Sequence, residues 1–414
     1  LLVKICVVGL GYIGLPTATM FASAKAQVLG VDVNPMVVDT VNSGGIHIVE
    51  PALDVLVQRA VKEGYLRAAT APADADAFLI AVPTPFKGDH VPDVSYVEAA
   101  AKAVAPVLRK GAVVILESTS PVGTTEKMIE WLSEARPDLR FPVVGDSSFV
   151  PDVFVAYCPE RVLPGKVVEE LVSNDRTVGG ITALCAQKAC DVYKIFVQGQ
   201  LIITDARTAE MCKLTENAFR DVNIAFANEL SLLCDRLGIN VWELISLANR
   251  HPRVNILNPG CGVGGHCIAV DPWFIVDAAP DLARMIATAR NVNDGKPKHV
   301  LDKIDAAAPI VEGGRRTVAV LGIAFKPDID DLRESPAFAI AQDLTARDDL
   351  DVLIVEPHIS ALPERLAGAR LVGIEEAVLH ADVVAVLVKH GVFVTEKALL
   401  LKHKNVVDAV GLFA

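Results

Sequence analysis

The chain has no CxxC pair, no apolar run approaching the roughly 20 residues that cross a bilayer, few aromatic residues and a shortage of positive charge. Each absence removes a class of function. Eight cysteines scattered over 414 residues without CxxC spacing exclude a zinc ribbon and a disulfide scaffold, so reduced thiols and no metal are expected. With 39 Lys plus Arg against 51 Asp plus Glu, a net charge of −12, the chain lacks the basic face that neutralises a phosphate backbone, and no nucleic-acid partner is expected. A small anionic ligand remains possible, because backbone N–H groups and a few cations suffice for one phosphate. No membrane partner is expected either. The opening LLVKICVVGLGYIG has no small-residue cleavage site and runs straight into a glycine motif, which points to a soluble, cytoplasmic protein.

What is abundant is apolar alternation. At 414 residues and 52% hydrophobic, the chain is long enough for two or three separate cores. Short β-branched runs at Val3 to Val8, Gln27 to Val31, Ala77 to Val82, Ala112 to Leu116 and Val153 to Cys158 alternate with helical spacing at Leu15 to Ala24, Ser95 to Leu108 and Thr124 to Ala135. That rhythm predicts an α/β fold with a Rossmann-like parallel sheet over 1–203. From Thr204 to about Leu237 there is no Pro or Gly, which predicts one long helical connector ended by Gly238, with an apolar stripe able to form a dimer seam. A helix at Val241 to Asn249, a glycine-rich loop at Asn255 to Asp271 and a helix at Asp281 to Ala308 complete a central segment, 204–310. After the turn Glu312-Gly313-Gly314-Arg315, strands at Thr317 to Leu321, Asp351 to Val355, Asp382 to Val388 and Asn405 to Ala409 predict a smaller Rossmann-like α/β domain over 311–414. No clear internal repeat is visible, although the two α/β segments open alike, with VVGLG and VLGIA.

Gly9-Leu10-Gly11-Tyr12-Ile13-Gly14 follows the first predicted strand and opens a helix, and Asp32 ends the second strand, 18 residues beyond Gly14. Together these form a dinucleotide fingerprint. Gly9 permits the tight turn, Gly11 admits the pyrophosphate and Gly14 allows close helix-strand packing, while Asp32 suits the ribose hydroxyls and repels a 2′-phosphate; NAD is expected. Thr84 and Thr119, just past two other strands, are candidate cofactor contacts or simple turn and cap residues.

Cys267 sits at the end of the glycine-rich loop, where a nucleophile can be presented and N–H groups can stabilise an oxyanion. Cys6, Cys185, Cys190 and Cys234 read as small buried hydrophobes, and nothing around Cys261 suggests chemistry. On the long helix Lys213, Asn217 and Arg220 share one face by spacing. That face is either solvated or, next to a hydride-transfer site, supplies an oxyanion-stabilising or proton-shuttling amine, a polar anchor and a cation for the substrate.

In combination, GLGYIG, STSPVGTT, AYCPERVLPG, EMCKLTENAFRDVNIAFANEL, NPGCGVGGHCIAVDPWF and LGIAFKPDIDDLRESPA resemble the UDP-glucose / UDP-N-acetylmannosamine dehydrogenase family over essentially the whole chain. AYCPERVLPG, ANRHPRVNILNPG and GGHCIAVDPWF look like the N-acetylmannosamine branch, whereas the glucose branch typically carries PEFLREG and GGYCLPKD. The resemblance implies oxidation of C6 of a UDP-N-acetylhexosamine from alcohol to carboxylate with NAD, for cell-surface polysaccharide precursors. It implies Cys267 as the nucleophile, Lys213 and Asn217 with an Asp271-linked water in the first oxidation, and Glu160 as the base for hydrolysis. It further implies substrate contacts from Arg161, Val162, Lys213, Asn217, Arg220, His251, Arg253, Gly264, Phe325, Lys326 and Arg333, cofactor contacts from Tyr12 and Ile13, and a homodimer or larger homo-oligomer. Lys326 and Arg333 lie among Asp328, Asp330 and Asp331, so surface ion pairs are the competing reading for them. UDP-N-acetylglucosamine or UDP-glucose as substrate, a single two-electron oxidation, and a catalytically inactive nucleotide sensor are the alternatives.

Overall fold

The computed structural model describes residues 3–48, 50–163, 165–265, 267–307 and 314–414. The chain divides into two compact units, Leu1–Thr215 and Glu216–Ala414. Among the described residues no helix is long and apolar enough to cross a membrane.

The first unit opens with β1 (Lys4–Val8), α1 (Gly14–Ser23), β2 (Gln27–Val31), α2 (Pro35–Asn42), α3 (Leu53–Lys62), β3 (Leu66–Ala69) and β4 (Ala77–Ile80). A small antiparallel ribbon, β5 (Phe86–Lys87) and β6 (Val91–Pro92), precedes α4 (Ser95–Val104), β7 (Val113–Leu116), α5 (Thr124–Ala135) and β8 (Phe154–Tyr157). Then come α6 (Val167–Ser173), β9 (Arg176–Gly180), α7 (Ala183–Tyr193) and β10 (Leu201–Asp205). The sheet order is β10-β9-β8-β7-β4-β1-β2-β3. β4, β7 and β8 are buried at every position, which is why they read as continuous apolar runs rather than alternating ones. The parallel pairing expected from sequence holds except between β8 and β9, which are antiparallel.

β1 and β4 are parallel neighbours, but successive strands are added outward in opposite directions from them, which makes this the topological switch point where such sheets bind ligands. Register places Val8 opposite both Val31 and Ile80, so Gly9, Asp32 and Ala81 emerge together at the carboxyl edge.

α8 (Ala206–Leu237) is the expected long helix, beginning two residues later than predicted. The reason is local: Thr204 and Asp205 still pair with β9, and the Asp205 carboxylate caps the new helix by accepting the Thr208 N–H at 2.9 Å. Gly238, at φ +69°, ends it as predicted.

The second unit continues with α9 (Val241–Ala248), α10 (Asp271–Ala278) and α11 (Arg284–Ala307). The last predicted residue of that helix, Ala308, and Glu312 and Gly313 of the predicted turn lie outside the described residues. β11 (Arg316–Leu321), α12 (Pro336–Thr345), β12 (Leu350–Val355), β13 (Arg370–Leu371), α13 (Ile374–His380), β14 (Val383–Val386), α14 (Gly391–Thr395), α15 (Lys397–Leu400) and β15 (Val406–Asp408) follow. They build a wholly parallel sheet ordered β13-β12-β11-β14-β15.

A polar ladder attaches α8 to the rest of the second unit. Asp221 accepts Arg290 Nη1 at 2.6 Å and Asn293 Nδ2 at 2.8 Å. Asn228 donates to Asn293 at 2.8 Å and accepts the Gly260 N–H at 2.9 Å. One turn further on, Ser231 Oγ accepts the buried Lys296 ammonium. Burial draws Lys296 down to about 8.

Two outcomes follow for folding. Arg290→Met leaves the Asp221 carboxylate buried without its cation and lowers the unfolding free energy of the second unit by about 3–5 kcal/mol, read from urea denaturation by Trp242 and Trp273 fluorescence. Lys296 binds its proton more weakly folded than unfolded, so its burial cost is fully present below about 8 and relieved as pH rises toward the ordinary lysine range. The difference in stability between Lys296→Met and the parent chain therefore shrinks from pH 7 to pH 10; a constant difference contradicts the burial account.

Candidate functional site

The glycine turn after β1 is shaped by close packing. A Cβ on Gly9, whose φ is +91°, would lie 2.4 Å from the Ala81 carbonyl oxygen, and one on Gly14 would lie 1.7 Å from the Gly9 carbonyl oxygen. A Cβ on Gly11 would meet nothing within 4 Å, so the backbone there is open to a ligand. Tyr12 and Ile13 complete the turn, with Tyr12 exposed, and Ile13 sits at the N-terminus of α1. Asp32 accepts the Leu10 N–H at 3.0 Å through one oxygen and the Asn34 N–H at 2.9 Å through the other. These residues fit a dinucleotide: an open glycine edge at a helix N-terminus, with a carboxylate at the end of the second strand.

Thr84 and Thr119 are brought together, Thr84 Oγ1 donating to the Thr119 carbonyl at 2.6 Å. Ser118 Oγ ties the same two loops by accepting the Val82 N–H at 2.9 Å and donating to the Val82 carbonyl at 2.7 Å. Glu210 on α8 is wholly buried and accepts the Gly123 and Thr125 N–H groups at 2.6 and 2.8 Å, capping α5 where that helix has no cap of its own.

Glu160, Arg161 and Val162 follow β8. Glu160 is buried, accepting the Arg161 N–H at 2.7 Å and lying 2.9 Å from Arg176 Nη2. Arg161 itself donates to the Asp175 carbonyl. The loop beyond is held by Glu50, buried, which accepts the Gly165 and Val167 N–H groups at 2.9 and 2.8 Å. Lys213, on α8, is buried.

In the second unit Asn217 is buried and donates to Asp271 Oδ2 at 2.5 Å. Asp271 opens α10, and its N–H is donated to the Cys267 carbonyl at 2.8 Å. Cys267 is exposed, whereas Cys6, Cys158, Cys185, Cys190, Cys234 and Cys261 are buried and none of the cysteines is in a disulfide. Burial pushes the Cys6 and Cys261 thiols up to about 12, as inert thiols require. Arg220, His251 and Arg253 are exposed, with His251 Nδ1 accepting the Arg253 N–H at 3.3 Å.

Gly264 and Phe325 do meet. A Cβ on Gly264 would lie 2.4 Å from the Glu334 carbonyl oxygen and 3.1 Å from Phe325 Cβ, so the cysteine loop packs on the turn after β11. Lys326 is half-buried in that turn. Arg333 forms the ion pair that the sequence left open, gripping Asp331 through two bonds of 2.8 and 2.7 Å. The turn is anchored by the buried His390, whose Nδ1 accepts the Asp328 N–H at 2.9 Å while Nε2 faces Glu356 at 3.1 Å.

Sequence reasoning missed Glu50, Glu117, Arg176, Glu210, Asn228, Arg290, Glu356 and His390. Glu117 and Glu356 carried a signal, each being a carboxylate immediately after an apolar strand. The others become legible only with their tertiary partners, which lie 16 or more residues away in the chain.

The NAD binding domain of the UDP-glucose/GDP-mannose dehydrogenase family matches residues 3–197, its central domain 207–295 and its UDP binding domain 319–414. The chain is similar to the NDP-N-acetyl-D-galactosaminuronic acid dehydrogenase of Ralstonia nicotianae, 60% identical over 411 residues covering 99% of this chain and 96% of that protein. It is similar to the UDP-N-acetyl-D-mannosamine dehydrogenase of Campylobacter jejuni, 62% identical over 395 residues covering 94% and 96%. Among solved structures it is similar to the UDP-N-acetyl-mannosamine dehydrogenase of S. aureus, with a TM-score of 0.86 and 42% identity over 99% of this chain and 95% of that one. With the glycine turn, the exposed cysteine and the three matched domains in agreement, the chain belongs to the UDP-glucose/GDP-mannose dehydrogenase family and is an NAD-dependent nucleotide-sugar dehydrogenase.

Proposed function

We propose that the chain oxidises C6 of UDP-N-acetyl-D-mannosamine from alcohol to carboxylate, in the cytoplasm, where nucleotide sugars are available and thiols stay reduced. The observation that carries the reading is the exposed Cys267 one helical turn before the buried Asp271, which Asn217 holds at 2.5 Å. A thiol is superfluous for one oxidation and decisive for two.

NAD would be held by Gly9, Gly11, Tyr12, Ile13, Gly14 and Asp32 with Thr84 and Thr119, and would supply the hydride acceptor for both oxidations. Lys213 and Asn217 stabilise the oxygen charge that develops at C6, and Asp271 takes the hydroxyl proton through a water. The Cys267 thiolate then adds to the aldehyde carbon, giving a thiohemiacetal whose C–H is again a hydride donor. Its oxidation leaves a thioester. Glu160 takes a proton from water as the hydroxide adds to the thioester carbonyl; the C–S bond breaks, and the carboxylate departs with the thiol restored. Arg161, Val162, Arg220, His251, Arg253, Gly264, Phe325, Lys326 and Arg333 contact the sugar nucleotide, with Lys326 and Arg333 facing its diphosphate.

A second substrate reading is favoured by the Ralstonia relative, whose name specifies an N-acetylgalactosaminuronic acid. A homodimer is supported by α8, where Phe219, Phe226 and Leu233 are 68%, 53% and 48% exposed at seven-residue spacing, on the side away from Asp221 and Asn228. A second copy of the stripe would cover it.

With UDP-N-acetylmannosamine, each sugar should yield two NADH and the acid. One NADH with a stable aldehyde would overturn the reading, and faster turnover of UDP-N-acetylgalactosamine would favour the alternative. Cys267→Ser should abolish acid formation. Asp32→Ala should raise KM for NAD about tenfold or more, the loss of one charged hydrogen bond, with kcat little changed. Phe226→Glu should convert a dimer to monomers in sedimentation velocity.

A further inference from the structure

Behind Glu160, in the first unit, five polar side chains from four elements are sealed together. Glu117 follows β7, Cys158 and Glu160 follow β8, Arg176 opens β9 and Tyr193 ends α7. Glu117 is 2% exposed, Arg176 3% and Glu160 8%. The guanidinium faces both carboxyl groups: Nη2 is 2.9 Å from Glu160 Oε2, and Nη1 is 4.0 Å from Glu117 Oε1. Neither contact is aligned as a hydrogen bond, because Arg176 Nη1 and Glu160 Oε2 both lack a hydrogen-bond partner. The guanidinium lies instead over the Tyr193 ring, 4.7 Å from its centroid, and Tyr193 donates its hydroxyl to Glu117 Oε1 at 2.6 Å.

One cation among two carboxylates leaves an uncompensated negative charge in an apolar interior, which burial resists strongly. The cluster therefore holds a proton. Cys158 stays a thiol, pushed up to about 12 chiefly by burial, and Glu117 is pushed up to about 7, burial outweighing the attraction of Arg176.

We infer that Glu117 and Arg176 are positioning residues that tune Glu160: the protonation of Glu117 sets how much of the single guanidinium charge Glu160 receives, and so how readily Glu160 accepts a proton from the hydrolytic water. The inference rests on Glu160 being that base. When Glu117 is ionised it competes for Arg176 and repels Glu160, making Glu160 the stronger base. When Glu160 takes the water's proton, Arg176 is released toward Glu117, which ionises more easily. The proton returns from Glu160 to the departing Cys267 sulfur, so the cycle consumes nothing beyond the water.

Glu117→Gln keeps the shape and the Tyr193 contact but removes the competing charge. In rapid-quench measurements of acid formation against pH, thioester hydrolysis in the parent chain should rise near pH 7, as Glu117 ionises and makes Glu160 the stronger base, and Glu117→Gln should lose that rise and keep the lower rate above pH 7, while NAD affinity and the melting temperature hold. Arg176→Lys, which keeps the charge without the two-armed reach, should not restore the rise near pH 7 when combined with Glu117→Gln. A rise near pH 7 that survives in Glu117→Gln, or that the parent chain lacks, overturns the inference. A second measurement needs no substrate: an infrared pH titration of the ligand-free protein should show a protonated carboxyl band lost near pH 7 that is missing from Glu117→Gln. If that band is absent from the parent chain, the shared-proton cluster is wrong whatever the reaction; if it is present and the parent chain forms no acid, the functional reading fails instead.

Discussion

Buried backbone N–H groups need acceptors, and at the strand-end loops of this protein the acceptors are carboxylates from elsewhere in the chain. Asp32 takes the Leu10 N–H, Glu50 those of Gly165 and Val167, Glu210 those of Gly123 and Thr125, and Glu356 those of Ile323 and Ala324. Loops that carry ligand-binding residues cannot satisfy themselves by sheet or helix bonding, so a remote acid fixes each one. Several of these acids are fully buried, so the acidic composition is partly internal and its surface effect is smaller than the net charge suggests.

The same device reveals a repeat that sequence comparison of the two α/β segments did not. Gly9 and Gly322 both have positive φ, at +91° and +85°, and both donate to the last residue of the neighbouring strand, Val31 and Val355. Asp32 and Glu356 then close the following turns. Only VVGLG and VLGIA show this likeness in sequence, because the closing acid is Asp in one segment and Glu in the other and the flanking residues differ.

Much of the fold was legible where signals are local. Continuous apolar runs marked β4, β7 and β8, the absence of Pro and Gly marked α8, and Gly238 marked its end. Strand β9 and its antiparallel pairing were not legible, since Arg176–Gly180 has two glycines in five residues and its direction is decided by the chain's path. For the candidate site, the glycine turn and Cys267 stood out because their chemistry demands particular residue types at fixed spacing. Glu50, Arg176 and Arg290 did not, because their partners lie 115, 16 and 69 residues away and only tertiary packing selects them. Arg333 shows the reverse: two neighbouring residues, Asp331 and Arg333, satisfied each other locally.

The functional account turns on one covalent bond at Cys267, and intact-mass analysis of enzyme acid-quenched during turnover of UDP-N-acetylmannosamine with NAD tests it most directly. The account predicts a population carrying the UDP-hexosaminuronyl mass on the peptide that contains Cys267. Acid formation with no adduct on that peptide at any quench time, under conditions that preserve a thioester standard, would contradict it.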